Sequence, residues 1–167
     1  MTEGELERLM KLYYGSVYRA ALCCVKNPSD ADDIAQEVFL KLYTCGKGFE
    51  SDEHIKAWLL RCAVNKAKDI LRSHWYRASL PLEAAENIGY GEENETYSLL
   101  PLVMKLSRKN RTVLYMYYYE DYSAEETAAI LGIPLSTVLS RLMRGRKQLG
   151  KLIESERNDD DELQRYY

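Results

Sequence analysis

The stretch that decides the fold is residues 123–149, which read SAEETAAILGIPLSTVLSRLMRGRKQL. Ser123 and Glu126 have the spacing of a capping box, in which each side chain bonds a backbone amide at the start of a helix. Gly132 allows the left-handed backbone that ends such a helix, and Pro134 prevents simple continuation. The stretch therefore predicts two helices joined by a tight turn.

The second of these helices is predicted to begin at about Ser136 and to have two different faces. The apolar face consists of residues at helical spacing, namely Val138, Leu142, Gly145 and Leu149. The opposite face carries small polar and basic residues, namely Thr137, Ser140, Arg141 and Arg144, with Arg146 and Lys147 close by. A basic second helix after such a turn is typical of a DNA-binding helix-turn-helix. The alternative interpretation is an ordinary helical hairpin with a solvated basic face.

Composition places the chain among folded proteins, with 167 residues, 46% of them hydrophobic, and a formal net charge of −3. The charge is uneven, because basic residues cluster in 56–77 and 141–151 and acidic ones in 83–95 and 159–162. An acidic chain with local basic patches binds DNA weakly without help, which suggests a partner. With no bilayer-spanning run and no signal-peptide core, we expect a cytoplasmic protein without direct membrane insertion.

Nothing in the sequence indicates catalysis or a metal. The cysteines and histidines have no metal-ligand spacing: Cys23, Cys24, Cys45, Cys62, His54 and His74. A phosphate-binding loop and a plausible pair of catalytic carboxylates are also missing. We therefore expect no cofactor and no enzyme activity.

Two amphipathic helices are predicted first, over residues 3–25 and 30–44, and Ser29 or Asp30 can cap the second. The second helix has a core face, namely Ala31, Ile34, Val38 and Leu42. A separate polar stripe with one apolar member consists of Asp33, Gln36, Glu37 and Leu40. A solvated face is the ordinary interpretation of such a stripe.

A third helix is predicted from His54 to about Tyr76. Its periodicity places Trp58 or Leu59 on the core face, and we assign Trp58 to the core. A basic stripe with an amide lies on another face, at Arg61, Asn65, Lys68 and Arg72. Such a stripe near aromatic residues suits an unpaired nucleic-acid strand, because cations hold phosphates and rings accept bases. A merely solvated face explains the stripe equally well.

The predicted fold is all-α, with two small helical domains joined by a flexible linker. The domains and connections are expected at 1–76, 77–97 (an acidic linker), 98–155 (ending in the helix-turn-helix) and 156–167 (an acidic, disordered tail). Two helices are predicted between Ser98 and Glu120. A tyrosine-rich patch in and after the second of them should pack against the helix-turn-helix, namely Tyr115, Tyr117, Tyr118, Tyr119 and Tyr122.

Two blocks of this chain resemble the bacterial sigma factors of the extracytoplasmic-function group. The first is residues 30–43, DADDIAQEVFLKLY, followed by Ala57-Trp58-Leu59 and by Val64-Asn65-Lys66-Ala67, and it resembles that family's region two. The second runs from Tyr122 to Arg146 and resembles region four. Both blocks, in this order and separated by a short linker, make the resemblance specific.

The resemblance implies roles for the residues singled out above. Docking on core RNA polymerase would fall to Asp33, Gln36, Glu37 and Leu40. Capture of an unpaired strand of the downstream promoter element would fall to the loop before the Trp-containing helix and the basic stripe, with Phe49, Arg61, Asn65, Lys68 and Arg72. Reading of the upstream element in the major groove would fall to Thr137, Ser140, Arg141 and Arg144, with Arg146 and Lys147 on phosphates. Core RNA polymerase, promoter DNA and an anti-sigma factor are the implied partners.

Two residues depart from the family pattern. Leu139 stands where a basic residue is common, which either removes a backbone contact or supplies an apolar contact to a thymine methyl group. Thr127 replaces a usual aliphatic residue in the packed part of the first helix. The competing interpretation of the whole chain is a stand-alone helix-turn-helix regulator that binds duplex operator DNA without polymerase.

Overall fold

The computed structural model describes residues 1–73 and 99–164, with side chains described as far as Asn158. The regular secondary structure of these residues is helical throughout, as the sequence predicted. The helices are α1 (Glu3–Val25), α2 (Pro28–Thr44), α3 (Asp52–Arg72), α4 (Leu100–Lys105), α5 (Arg108–Tyr118), α6 (Ala124–Leu131) and α7 (Leu135–Gln164). The predicted linker at 77–97 lies outside the described residues.

The chain divides into two compact units. The first holds α1, α2 and α3 together with Ala129–Gly132, and the second holds the rest of the described chain from Leu99. None of the helices in the described ranges is both long enough and apolar enough to cross a bilayer.

In the first unit, α1, α2 and α3 pack against one another around a shared apolar core. Its largest fully buried side chains are Leu9, Val17, Leu22, Ile34, Phe39, Leu42, Leu59 and Leu60. The predicted core face of α2 is confirmed, since Ala31, Ile34, Val38 and Leu42 are all buried. The assignment of Trp58 to the core is wrong: it is half-buried, because α3 turns Leu59 and Ala63 inward and leaves the indole at the edge.

The ends of these helices follow their caps. Asn27, not Ser29 or Asp30, caps α2, with its side-chain oxygen accepting the Asp30 amide at 3.1 Å. Pro28 then occupies the first turn, where its missing N–H costs nothing. Ser51 caps α3, so this helix begins before His54, and it ends at Arg72, short of the predicted Tyr76.

In the second unit, α4, α5 and α7 surround a second core. Buried members include Leu100, Val103, Val113, Leu114, Tyr115, Met116, Val138 and Leu142. The Tyr115 hydroxyl donates a hydrogen bond to the buried carboxylate of Glu120. The tyrosine patch is therefore divided, with Tyr115 fully inside and Tyr118 exposed.

The helix-turn-helix forms as its sequence predicts. In the capping box, the Glu126 carboxylate accepts the Ser123 amide at 2.8 Å, and the Ser123 hydroxyl accepts the Glu126 amide at 3.1 Å. Gly132 has φ 64°, the left-handed value that ends α6. α7 begins at Leu135 and buries Val138, Leu142 and Gly145, with Leu149 half-buried beside them.

The prediction of a disordered tail from residue 156 is wrong as far as Gln164, because α7 continues to that residue. No Gly or Pro occurs between Lys151 and Gln164, so nothing local stops the propagation of the helix. An ion pair at 3.0 Å between Lys105 of α4 and Glu156 of α7 also lies at the start of this extension.

Candidate nucleic-acid interfaces

The helix α7 carries the predicted upstream-reading residues on its solvent side, and we call this set the α7 polar face. Arg144, Arg146 and Lys147 are exposed, whereas Thr137, Ser140 and Arg141 are half-buried. The Ser140 hydroxyl donates to the Ser136 carbonyl at 2.9 Å, which leaves its oxygen lone pairs available as acceptors. The face thus combines fixed small polar groups with guanidinium donors.

The positive charge of this face is reinforced by a residue that sequence reasoning missed. The pKa of Arg141 is lowered by burial and then by the neighbouring charges of Arg144 and Arg108. Arg108 stands in the first turn of α5, where a cation is unfavourable to the helix dipole. A cation in the first turn of a predicted helix is therefore the sequence signal that could have identified Arg108 as part of this basic face. In the described part of the chain, no carboxylate forms an ion pair with any of the three.

Arg146 has a different environment from the rest of the α7 polar face. Its Nε donates to the Tyr118 hydroxyl at 2.5 Å. Its guanidinium carbon lies 5.5 Å from the ring centroids of both Tyr117 and Tyr118, which meet edge to face. The aromatic pair holds the guanidinium in place while leaving its charge without a carboxylate partner in the described residues.

The predicted strand-binding stripe lies on α3 in the first unit. Arg61, Asn65 and Arg72 are exposed, and Lys68 is half-buried. Arg72 has Asp69 one turn away at 3.6 Å, an exposed pair of little energetic weight. Lys68 Nζ donates to the Leu131 carbonyl at 3.1 Å, so the stripe is accessible at its three exposed members and engaged at Lys68.

Phe49, from the loop before α3, belongs to an aromatic cluster at the start of that helix. Its ring packs edge-on against His54 and against Trp58, with centroids 5.5 Å apart in each case. Lys41 of α2 completes the cluster, with Nζ 5.7 Å from the Trp58 ring centroid. Sequence reasoning missed both Lys41 and Trp58 here, because only the packing of α2 on α3 brings them together.

The polar stripe of α2 is exposed at all four predicted positions, with Leu40 63% exposed. Glu37 pairs with Lys66 of α3 at 2.5 Å. The Gln36 amide donates to Asp32 at 2.7 Å, and Asp32 also accepts the Tyr14 hydroxyl. Burial of the Tyr14 hydroxyl is the main cause that raises its pKa to about 12, and the hydrogen bond between Tyr14 and Asp32 is the second. Gln36 and Glu37 are thus held by neighbouring side chains in the first unit, while Leu40 projects into solvent.

Comparison with known families assigns both halves of the chain. The family described as Sigma-70 region 2 matches residues 9–77, and that described as Sigma-70, region 4 matches residues 98–149. The chain is 32% identical over 132 residues to the RNA polymerase sigma factor SigV of Bacillus subtilis, covering 78% of this chain and 80% of that protein. It is also 29% identical over 160 residues to the ECF RNA polymerase sigma factor SigW of the same organism, covering 86% of each.

The chain belongs to the extracytoplasmic-function group of RNA polymerase sigma factors. The resemblance recognised from the two sequence blocks is therefore confirmed. Both relatives are named as sigma factors rather than as enzymes.

Solved structures support the fold of this sigma factor. The sigma factor RpoE of Bartonella quintana, in complex with the anti-sigma factor NepR, has a TM-score of 0.70 at 22% identity, covering 90% of this chain and 97% of that one. CnrH, in complex with the cytosolic domain of CnrY, has a TM-score of 0.63 at 24% identity and covers 92% and 90%. The roles of the individual residues on α2, α3 and α7 remain predictions.

Proposed function

We propose that this sigma factor directs core RNA polymerase to specific promoters with three separate surfaces. The α2 stripe docks on core polymerase, α3 and the loop before it open and hold the downstream element, and the α7 polar face reads the upstream element as duplex DNA. The observation that carries the proposal is the exposed positive charge of α7. No carboxylate in the described residues forms an ion pair with Arg141 or Arg144. An external polyanion such as DNA is therefore the natural counter-ion of these two arginines.

Reading of the upstream element follows from the position of these groups on the second helix of a helix-turn-helix. The first turns of such a helix face the base edges in the major groove. Arg144 and Arg141 can each form two hydrogen bonds with the O6 and N7 atoms of guanine, while Arg146 and Lys147 suit phosphates. Arg108 of α5 joins the set as a further phosphate contact because it raises the same local potential.

Opening of the downstream element needs no hydrolysis if unpaired bases are captured as they emerge. Arg61 and Arg72 supply phosphate contacts along α3, and Asn65 supplies a hydrogen-bonding edge between them. Phe49 and Trp58 supply ring surfaces for base stacking. The loop 49–53 is acidic, so it acts on a base by shape and hydrogen bonding and not by attracting phosphates.

Docking on polymerase uses the combination of an exposed leucine and fixed polar groups on α2. Leu40 offers the apolar contact that a protein interface buries at its centre. Gln36 and Glu37 lie one helical turn before Leu40 and add polar groups beside it. An acidic stripe also keeps this surface away from DNA, which reserves it for a protein partner.

The direct test is co-elution of the chain with purified core RNA polymerase, followed by run-off transcription from random genomic fragments. We expect a stable complex and new, specific start sites. A protein that ignores polymerase yet shifts duplex DNA alone is a stand-alone regulator instead, and that outcome overturns the proposal.

Charge reversal at Glu37 tests the docking surface, and its pairing with Lys66 supplies a matched control. Glu37→Lys should abolish co-elution with core polymerase. The double variant Glu37→Lys/Lys66→Glu restores the internal ion pair but still presents a cation at position 37. If polymerase contacts Glu37, both variants fail to bind. If only the pair with Lys66 matters, the double variant recovers and the docking role is wrong.

We also infer an anti-sigma factor that competes with core polymerase for the first unit. The structurally similar RpoE was solved with such a partner. In this chain, large apolar side chains are exposed on α1 and α2, namely Leu12, Leu40 and Tyr43. A genuine anti-sigma factor should displace the chain from core polymerase in a co-elution assay, and Leu40→Ala should weaken both complexes.

A further inference from the structure

The second unit has an exposed apolar line along α7 that the α7 polar face does not include. Leu135, Leu139 and Met143 follow one another at four-residue steps, so they lie along one side of the helix. Their exposed fractions are 38%, 52% and 65%. We call these three residues the apolar flank.

Burial explains the apolar residues Val138 and Leu142 of α7 but not the flank. Val138 and Leu142 belong to the core, with at most 2% exposed. The flank residues face water beside them, which is unfavourable unless another surface covers them. A line of three such residues is therefore a contact surface rather than scattered exposure.

The surroundings of the flank point to duplex DNA as what covers it. Ser140 and Lys147 lie three and four residues from Met143, so they border the flank on the helix surface, and Lys147 has no carboxylate partner among the described side chains. A groove that supplies anions at its edges and an apolar group on its floor matches this mixed surface. In the major groove, the apolar group that bases present is the C5 methyl of thymine.

We propose that Leu139 and Met143, with Leu135 at the start of the helix, form an apolar flank that reads thymine methyl groups in the upstream promoter element. Leu139 is the central residue, because it lies in the second turn, where such a helix reaches base edges. The flank thus selects thymine on one side of the site, while the arginines contact guanines and phosphates on the other. This inference rests on the proposed reading of the upstream element by α7.

The test replaces thymine by deoxyuridine, which removes the methyl group and keeps every hydrogen-bonding group. Run-off transcription first identifies the promoter. Each thymine of its upstream element is then replaced, and the affinity of the holoenzyme for the fragment is measured. Loss of one buried methyl group should weaken binding about fourfold. The replaced positions that respond identify the bases under the flank.

Variants assign the response to the flank. Leu139→Ala should bind the thymine promoter more weakly and lose the preference for thymine over deoxyuridine, and Met143→Ala should lose it at a neighbouring base. Leu99→Ala is the matched control, since Leu99 is 43% exposed in the same unit but lies outside α7. It should keep the full preference. Arg144→Ala should weaken binding to both fragments.

Two results overturn the inference, and they are distinguishable. If the holoenzyme protects the upstream duplex from nuclease but binds thymine and deoxyuridine fragments equally, the flank does not read methyl groups, although α7 still reads DNA. If the upstream duplex is not protected at all, the proposed function of α7 fails and the inference falls with it. A thymine preference that survives in Leu139→Ala and Met143→Ala assigns the methyl contact to other residues and also contradicts the flank.

Discussion

Gly145 of α7 lies directly against Leu114 of α5. A Cβ atom added to Gly145 would be 2.8 Å from Leu114 Cδ1 and 3.1 Å from its Cγ, well inside van der Waals contact. Leu114 is fully buried, so its side chain cannot swing into solvent to make room. The absence of a side chain at position 145 therefore sets how closely α7 approaches α5.

Gly145→Ala should destabilise the second unit even though alanine is the better helix former. Helix propensity favours the substitution by about 1 kcal/mol, but overpacking against a buried leucine costs about 1–3 kcal/mol. We expect a net loss of about 1 kcal/mol in the free energy of unfolding, measured by urea denaturation.

Gly150→Ala is the matched control, because it lies in the same helix with no atom within 4 Å of an added Cβ. It should stabilise the protein by about 1 kcal/mol. Equal effects of the two substitutions would contradict the close approach of α7 to α5.

Thr127→Val should stabilise the protein. The Thr127 hydroxyl is completely buried and has no hydrogen-bond partner in the described part of the chain. Valine has nearly the same shape without the polar group, so the gain in unfolding free energy should be about 1 kcal/mol. The family resemblance had marked Thr127 as a departure from an aliphatic residue.

Thr112→Val provides the opposite case for that measurement. The Thr112 hydroxyl donates to the Arg108 carbonyl at 2.8 Å, so valine removes a bond and should cost about 0.5–1 kcal/mol. A loss of stability in both variants would show that the Thr127 hydroxyl is satisfied in solution.

Helix ends and the turn of the helix-turn-helix could be predicted because their signals are local. Ser123, Glu126 and Gly132 act within one turn of their own positions, and the structure has each as expected. The prediction missed Asn27 as the cap of α2. The sequence did carry a signal for it, since the next residue is Pro28 and proline is favoured in the first turn of a helix.

The features that could not be predicted depend on contacts between helices. Nothing near Trp58 in the sequence shows that Lys41 lies over its ring, or that Leu59 takes the core position instead. Arg108 joins Arg141 only through the packing of α5 on α7. Periodicity was therefore enough to assign candidate site residues to one face of a single helix. Residues that join a site from a second helix, such as Lys41 and Arg108, could be identified only from the packing of the helices.

Acid should weaken the capping box of α6. The hydrogen bond from the Ser123 backbone amide is the main cause that lowers the pKa of the Glu126 carboxylate, and the Ser123 hydroxyl lowers that pKa further. A lowered folded-state pKa contributes stability that is present above the ordinary glutamate value of about 4.3 and is lost as the pH falls through the folded value. Glu126→Gln should therefore be less stable than the unsubstituted protein at pH 7, and the difference should shrink on acidification.

Thermal unfolding of both proteins, from pH 7 down to a pH below the lowered folded-state pKa of Glu126, measures that difference. Glu125→Gln removes the same charge from the same turn and leaves the capping box intact, so it separates the bond from the helix dipole. A Glu126→Gln effect that is constant with pH, or equal to that of Glu125→Gln, would count against the capping carboxylate.

Tyr118→Phe should weaken promoter binding by the holoenzyme, because the Tyr118 hydroxyl holds Arg146 at 2.5 Å. If Arg146 contacts a phosphate, Arg146→Gln should reduce the slope of log affinity against log salt by about 1. Tyr118→Phe keeps the cation, so it should leave that slope unchanged while lowering affinity about fivefold.

Tyr117→Phe is the matched control. It keeps the aromatic ring beside Arg146 and breaks no hydrogen bond to it, so this variant should bind as the unsubstituted protein does. An unchanged salt slope in Arg146→Gln would instead make the Arg146–tyrosine cluster a purely structural contact between α7 and α5.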